Sequence, residues 1–550
     1  MARSTAEAYD VRRVDAREHG LVGDGVTNDQ PALAALVDRL GAAYAADGRP
    51  RAIYCPPGDY AIRDGGTVWR SGVSLLGAGI GVTRFLLANP ADPSQPTPLA
   101  WFTTLQHGAS RDNHIADCTF ASFEIDGSGV QMARYNYLAK GLGLQYVLRG
   151  RFRDLYIHDT GATGLGCDFL QDTVIDAVVT ERCGRLDNGQ QMGGAGIGVG
   201  IGGWGTSERL TITACSTIGN GTNGIFVELQ KNYWTPPRGI RILGCHSEGN
   251  RFGISDWGAD GLIVTGCTIL DNLEAGYDVS AKGTAGVAGR GGILADCVID
   301  ANAEDGVSIG NTPGPYLVRG NRISRNGRYG YRQHNLSGNV DQPARGIVID
   351  GNDIWGNGLD GVHVDADLTD GAIVGNRLHG NGRRVEPAGT ADGGTTRYER
   401  GSMTDCAANW RPDGQLGKRL TVGSQTATVV GNDRTTLTLA PVRPGVTTAW
   451  RGTAPADGTE YHLPDPPAWR AGITIAAATV GLTVRGNRIW DDGDPPTQTD
   501  GLWLTDAGSC VDAVVEDNDL AGNARAGLRL DNPPEGGRWH RNHGVAGRAD

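Results

Sequence analysis

The 550-residue chain carries 50 Lys and Arg against 62 Asp and Glu, a formal net charge of −12, with 86 Gly and few aromatic residues. Such an acidic chain lacks the clustered cations that duplex nucleic acid calls for, and no run of about 18 apolar residues offers a membrane-spanning helix. Glycine at more than twice its usual share of roughly 7% points to many tight corners.

The chain begins Met1-Ala-Arg-Ser-Thr-Ala-Glu, without the apolar core of a signal peptide, which leaves a cytoplasmic protein or a leaderless form of a secreted one. Val11-Arg-Arg-Val-Asp15 and Gly23-Asp-Gly-Val-Thr-Asn-Asp29 precede a predicted amphipathic helix from Gln30 to about Ala46, with Leu33, Leu36, Val37 and Leu40 on one stripe. The strands Ala52-Ile-Tyr-Cys-Pro-Pro-Gly-Asp-Tyr60 and Val73-Ser-Leu-Leu-Gly-Ala-Gly-Ile-Gly81 follow.

Further along, one phrase recurs: a Cys or Asn, four variable residues, then Asn. It reads Cys183/Asn188, Cys215/Asn220, Cys245/Asn250, Cys267/Asn272, Cys297/Asn302, Asn321/Asn326, Asn352/Asn357, Asn376/Asn381 and, after a gap, Asn518/Asn523. Up to Asn376 the phrases start 22 to 32 residues apart, the period of a solenoid with one coil per repeat. After each phrase comes a Gly-led alternating run, such as Gly224-Ile-Phe-Val-Glu228, Gly306-Val-Ser-Ile-Gly310 or Gly361-Val-His-Val-Asp365, and before it a run such as Gly346-Ile-Val-Ile-Asp350. Period-two alternation marks half-buried strands. Two or three short strands per coil, with Gly and Asn at positive-φ corners, describe an all-β, right-handed parallel β-helix whose corner Asn and Cys form inward ladders. The repeated cysteines are thus expected as buried thiols, and no CxxC or Cys/His metal spacing is present.

The opening, with its Gly-Asp-Gly-Val-Thr-Asn-Asp run, helix and Pro-Gly-bearing strand, resembles the pectate-lyase-like β-helix superfamily, which includes polysaccharide lyases, glycoside hydrolases, alginate C5-epimerases and tailspikes. The resemblance implies the fold and a carbohydrate partner, while chemistry differs among members. Gly164-Leu-Gly-Cys-Asp168 also resembles the Gly-Tyr-Gly-Phe-Asp-Pro-His-Glu segment of alginate C5-epimerases. Asp168 matches the aspartate. Leu165 stands where that family has its tyrosine and Leu170 where it has its histidine.

The expected organisation is an N-terminal cap and first coils over 1–90, β-helix over 91–382, a small β insert over 383–470, and final coils with a C-terminal tail over 471–550. The Gly-rich stretch 189–203 lacks the Lys and helix of a phosphate loop. Stacking the Gly-led strands gives an outward column of Gly166 and Asp168; Gly198 and Gly200; Phe226 and Glu228; Ser255 and Trp257; Asp278 and Ser280; Ser308 and Gly310; Arg332 and His334; His363 and Asp365. Asp168 with Glu228, two coils apart at about 4.8 Å per coil, suits an inverting glycosidase, and Glu228 with Asp256 a retaining one. Asp168, Glu228, Asp256 and Asp278 are the catalytic candidates. Tyr233, Trp234, Trp257, Lys282, Arg332, His334 and His363 are the substrate-binding candidates. No metal or cofactor is expected; if Ca²⁺ were to bind, Asp365, Asp367 and Asp370 would be its oxygen ligands. The expected function is hydrolysis or transglycosylation of a poly- or oligosaccharide by paired carboxylates. The alternatives are a lyase or C5-epimerase acting on uronates, and a non-catalytic glycan-binding or tailspike-like protein. No nucleic-acid or membrane partner is expected, and a broad exposed β-helix face allows a homo-oligomer.

Overall fold

The computed structural model describes residues 12–545 apart from 64, 91, 93, 131–134, 185–192, 281–290, 311, 336–342, 384–394, 411, 413–414, 416–417, 443–445, 464–469 and 495. The chain divides into two compact units, Met1–Gly221 with Gly239–Arg241, and Thr222–Arg238 with Ile242–Asp550. Both are built of parallel β coils, and among the described residues no helix is long and apolar enough to cross a membrane.

In the first unit the helix spans Gln30–Asp47, with Pro31 in its first turn and Gly48 closing it at φ 69°. It buries Leu33, Leu36, Val37 and Leu40. Long strands Thr119–Gly129, Arg151–His158 and Val174–Glu181 then stack in register, placing Phe120, Phe152 and Ile175 one above another, and likewise Phe123, Leu155 and Val178. The Phe120 and Phe152 rings lie parallel at 5.4 Å, which fills the core at aromatic stacking distance.

In the second unit each coil contributes one Gly-led strand to a parallel sheet: Asn223–Leu229, Phe252–Trp257, Tyr277–Ser280, Val307–Gly310, Tyr331–His334, Val362–Asp365, Ala471–Ile475, Asp500–Leu504 and Ala526–Leu530. Two buried ladders run alongside. In one, backbone N–H groups of Cys245 and Cys267 donate to the thiols of Cys267 and Cys297, and Cys297 N–H donates to Asn321 Oδ1. Asparagines continue it through Asn352, Asn376, Asn487, Asn518 and Asn542. The other passes Asn250, Asn272, Asn302, Asn326, Asn357 and Asn381 to Gln498. All ten cysteines are free, and all but Cys406 are buried.

The corner with positive φ is the residue before the ladder Asn or Cys, not the Asn itself: Gly351 before Asn352, Gly356 before Asn357, Asp296 before Cys297 and Arg325 before Asn326. The Cys183/Asn188 pairing is corrected too. Cys183 N–H donates to Asn220 Oδ1, so Cys183 stands in the second ladder position, and Asn188 lies outside the described residues.

Between Asn381 and Arg470 sits a separate five-stranded antiparallel sheet with strands from Thr396–Tyr398 to Thr436–Leu439. It has its own core of Met403, Leu420, Val429, Leu437, Trp450 and Leu463. The coils close directly across it, for Asn376 N–H donates to Asn487 Oδ1, 111 residues on. After Leu530 a further strand, Arg538–His540, adds one partial coil, ending in Asn542 on the ladder.

Candidate functional site

In the second unit the Gly-led strands carry an outward column in exact register: Phe226, Ser255, Asp278, Ser308, Arg332 and His363, each opposite the next. Two residues on, Glu228 stands opposite Trp257, and Ser280, Gly310, His334 and Asp365 follow one another. Alternation turns these side chains to one face and sends Val227, Asp256 and Val279 into the core.

Asp256 is therefore not a partner for Glu228 on that face. It is fully buried, accepts Tyr316 O–H at 2.9 Å and the N–H groups of Gly258 and Ala259, and burial pushes its carboxyl up to about 6. Asp278 does lie in the outward column. Trp257 Nε1 donates to its Oδ2 at 3.1 Å, and burial raises its carboxyl to about 6. Glu228 accepts from Gln230 Nε2 at 3.0 Å.

The basic end is built on one coil and its two neighbours. Ser308 Oγ lies 2.9 Å from His334 Nε2. The imidazole rests flat on Gly310, where an added Cβ would come within 2.5 Å of Nε2, so only glycine leaves room for the ring. Burial, and secondarily Arg332, depress the His334 pKa to about 4. Arg332 pairs with Asp365 and lies 5.4 Å over the Tyr329 ring. Tyr329 stacks on His363 at 4.3 Å, and burial drives its phenol far above the usual range. His363 Nδ1 lies 2.7 Å from Asp360 Oδ2, which fixes that ring. Arg328 lies 5.5 Å over the Tyr329 ring and is 3.8 Å from Glu304.

Tyr329, Arg328, Asp305 and Asp360 were not among the expected residues. They occupy the turn between a ladder Asn and the Gly that opens the next strand, a position that repeats as Glu274, Glu304, Arg328 and Leu359 in successive coils. Extending the outward column into that turn would have found them.

The other expected residues scatter. Tyr233 and Trp234 form an edge-to-face pair after strand Asn223–Leu229, with Lys231 Nζ 5.9 and 5.3 Å from the two rings. Lys282 lies outside the described residues. The three aspartates proposed for Ca²⁺ do not converge: Asp365 holds Arg332, Asp367 accepts Ala478 N–H, and Asp370 holds Arg345.

Asp168 belongs to the first unit and Glu228 to the second. Asp168 also leaves the Gly-led strand. Leu165–Gly166 pairs with Ile197–Gly198, whereas Asp168–Gln171 is a separate strand pairing with Gln145–Leu148. Its carboxylate accepts Gly200 N–H at 2.8 Å and stands 3.9 Å from Lys140 Nζ. Leu165 and Leu170 are fully buried, so the proton-transfer groups of the epimerase segment have no counterpart at these positions.

Two family models match: "Right handed beta helix region" over residues 204–342, and "Rhamnogalacturonase A/epimerase, pectate lyase-like" over 13–95. The chain is 28% identical over 188 residues to mannuronan C5-epimerase AlgE4 of Azotobacter vinelandii, covering 30% of this chain and 33% of that protein. It is 28% identical over 201 residues to alginate lyase 7 of the same organism, covering 31% of this chain and 22% of that one. The chain thus spans a third or less of the length of these relatives. The solved AlgE4 A-module aligns over 96% of this chain and 99% of its own at 14% identity and TM-score 0.40. With its repeated parallel coils and two ladders, the chain is a right-handed parallel β-helix, and its opening is similar to the pectate lyase-like family model.

Proposed function

We propose that this chain acts on a uronate-containing polysaccharide by removing the proton next to the sugar carboxylate, as a lyase or a C5-epimerase. The observation that carries the reading is a base and an acid driven apart by their surroundings on one coil. His334 is held neutral, Tyr329 is held protonated, and Arg332 stands between them in sequence with its guanidinium over the phenol ring. Such a split assigns acid and base roles. Arg332 and Arg328 offset the charge that builds on the carboxylate as the C5 proton leaves, the neutral imidazole accepts that proton, and the Tyr329 hydroxyl donates one. Donation to the glycosidic oxygen gives elimination; donation to the opposite face of C5 gives epimerisation. The similarity to a C5-epimerase and an alginate lyase supports this chemistry over hydrolysis.

Paired-carboxylate hydrolysis or transglycosylation is the second reading, favoured by Asp278. Its raised pKa suits a general acid, and Glu228 lies two coils away and two residues further along its strand, roughly 12 Å by backbone, so the two side chains would have to lean toward each other to reach inverting geometry. The test is incubation with mannuronan, other uronates and neutral glycans, reading unsaturated-uronate absorbance, new anomeric proton signals and reducing ends. Absorbance or anomeric exchange abolished by His334→Gln supports proton abstraction. Reducing ends without absorbance, abolished by Asp278→Asn, support hydrolysis. Ligand retention with no turnover in any channel would leave a glycan-binding protein.

A further inference from the structure

The first unit carries a second polar constellation, away from its Gly-led strands. Glu124 and Asp126 sit two apart on strand Thr119–Gly129, and His158 lies directly opposite Asp126 on the next strand, so alternation and register bring all three to one face. One ligand atom from each lies within 4.8 Å of the others. Three donors about 2.1 Å from one tetrahedral ion stand about 3.4 Å apart, so the group closes on an ion with side-chain shifts of about 1 Å.

Three features separate this group from a chance meeting of surface charges. The Glu124 and His158 side chains are only 10% and 12% exposed. His158 has both nitrogens engaged: Nε2 faces Glu124 Oε1 at 3.2 Å, and Nδ1 lies 2.9 Å from Asp159 Oδ2. Asp159 is itself clamped by Arg182, and Tyr156 stacks on the imidazole at 4.5 Å. A carboxylate on Nδ1 orients the ring so that Nε2 keeps its lone pair for an ion, which is how metal-binding histidines are commonly held. The charges of the group also do not balance. Among the described residues, Asp59, Glu124, Asp126, Asp159 and Glu181 are met by the arginines Arg84 and Arg182, and Arg84 is already held by Asp59 in two hydrogen bonds of 2.8 Å. Three negative charges remain, two of them on the would-be ligands, and a divalent cation at Nε2 would offset most of that excess.

The geometry points to a divalent transition-ion site formed by Glu124, Asp126 and His158, with Asp159 orienting the histidine. One imidazole nitrogen with two carboxylates suits Zn²⁺ or Mn²⁺ better than Ca²⁺, whose ligands are all oxygen. The half-buried Asp126 leaves the outer side of the ion to water.

The test is calorimetric titration of the chelator-treated full chain with Zn²⁺, with Co²⁺ as a spectroscopic probe. The expected result is one equivalent of Zn²⁺ bound, Co²⁺ ligand-field bands, and a loss of affinity of about tenfold or more in Asp126→Asn and in His158→Gln. Asp126 lies at the rim and accepts only Ser128 N–H among its described hydrogen bonds, so its variant reports on the site even where His158→Gln disturbs the fold. Absence of Zn²⁺ binding, binding unchanged in both variants, or a preference for Ca²⁺ over Zn²⁺ would each overturn the assignment.

Discussion

The placement of His334 depends on a single missing side chain, which allows a sharp test. Gly310→Ala adds one methyl where the imidazole now rests, 2.5 Å from Nε2 and 2.7 Å from Nδ1. Ordinary contact between such atoms is about 3.5 Å, so the ring must withdraw by about 1 Å, and the 2.9 Å contact with Ser308 Oγ is lost. Gly310 has a backbone conformation open to any residue, so the methyl strains nothing but the ring. A 1 Å displacement of a proton-transfer group costs about 100-fold in turnover, or about 2.7 kcal/mol of barrier. The assay is the rate on whichever uronate polymer proves active, with the thermal midpoint as a check on folding. In a His334→Gln background, Gly310→Ala should cost almost nothing more, because both changes remove the same group. A folded Gly310→Ala protein within about threefold of the parent rate, or a full further loss in the His334→Gln background, would refute the role given to His334.

Three further outcomes follow from the same geometry. Activity on the uronate should rise with pH through about 4 as His334 loses its proton, and any residual rate of His334→Gln should lack that limb of the profile. Asp256 is raised from its ordinary 3.8 to about 6 in the folded chain, so the fold binds more protons than the unfolded chain between those values. Its contribution is therefore full below 3.8 and lost as pH rises through about 6, and Asp256→Asn should flatten the decline in denaturation midpoint across that window. Asn352→Ala should destabilise the fold by about 3 kcal/mol, since it strips four hydrogen bonds and orphans the Asn321 N–H inside the core. Asn352→Cys should cost about half as much, because a thiol in this ladder accepts a backbone N–H at 3.4 Å, as Cys267 does from Cys245; equal losses in chemical denaturation would sink the idea that the thiols act as ladder acceptors.

The coils were legible because each repeats the same two constraints at nearly the same spacing. A side chain must face inward every second residue, and one small polar group must accept the N–H of the coil before it. The constraint fails to show where a different residue satisfies it. Asn487 and Gln498 complete a coil, but they stand 11 residues apart and the second is a glutamine, so they break the five-residue spacing of the repeated phrase. Cys183 misled for the converse reason, since a cysteine can stand in either ladder, at the second position at Cys183 and at the first at Cys267. Asp168 was misplaced because a chain break in pairing at Cys167 ends one strand and starts another without changing the alternation that the sequence displays.

The candidate site was half legible for a related physical reason. Asp278, Arg332, His334 and His363 lie on strands, where period two fixes the face they share. Tyr329 and Arg328 lie on turns, where no period does, yet stacking makes turns repeat as strictly as strands once each coil is anchored by its ladder. A β-helix is thus able to vary chemistry in its turns without disturbing the fold. Asn326, just before the turn, and Gly330, just after it, keep the coil in register while the two residues preceding that glycine change from Glu304 and Asp305 to Arg328 and Tyr329 within one step. That single step converts the acidic end of the outward column into the basic one.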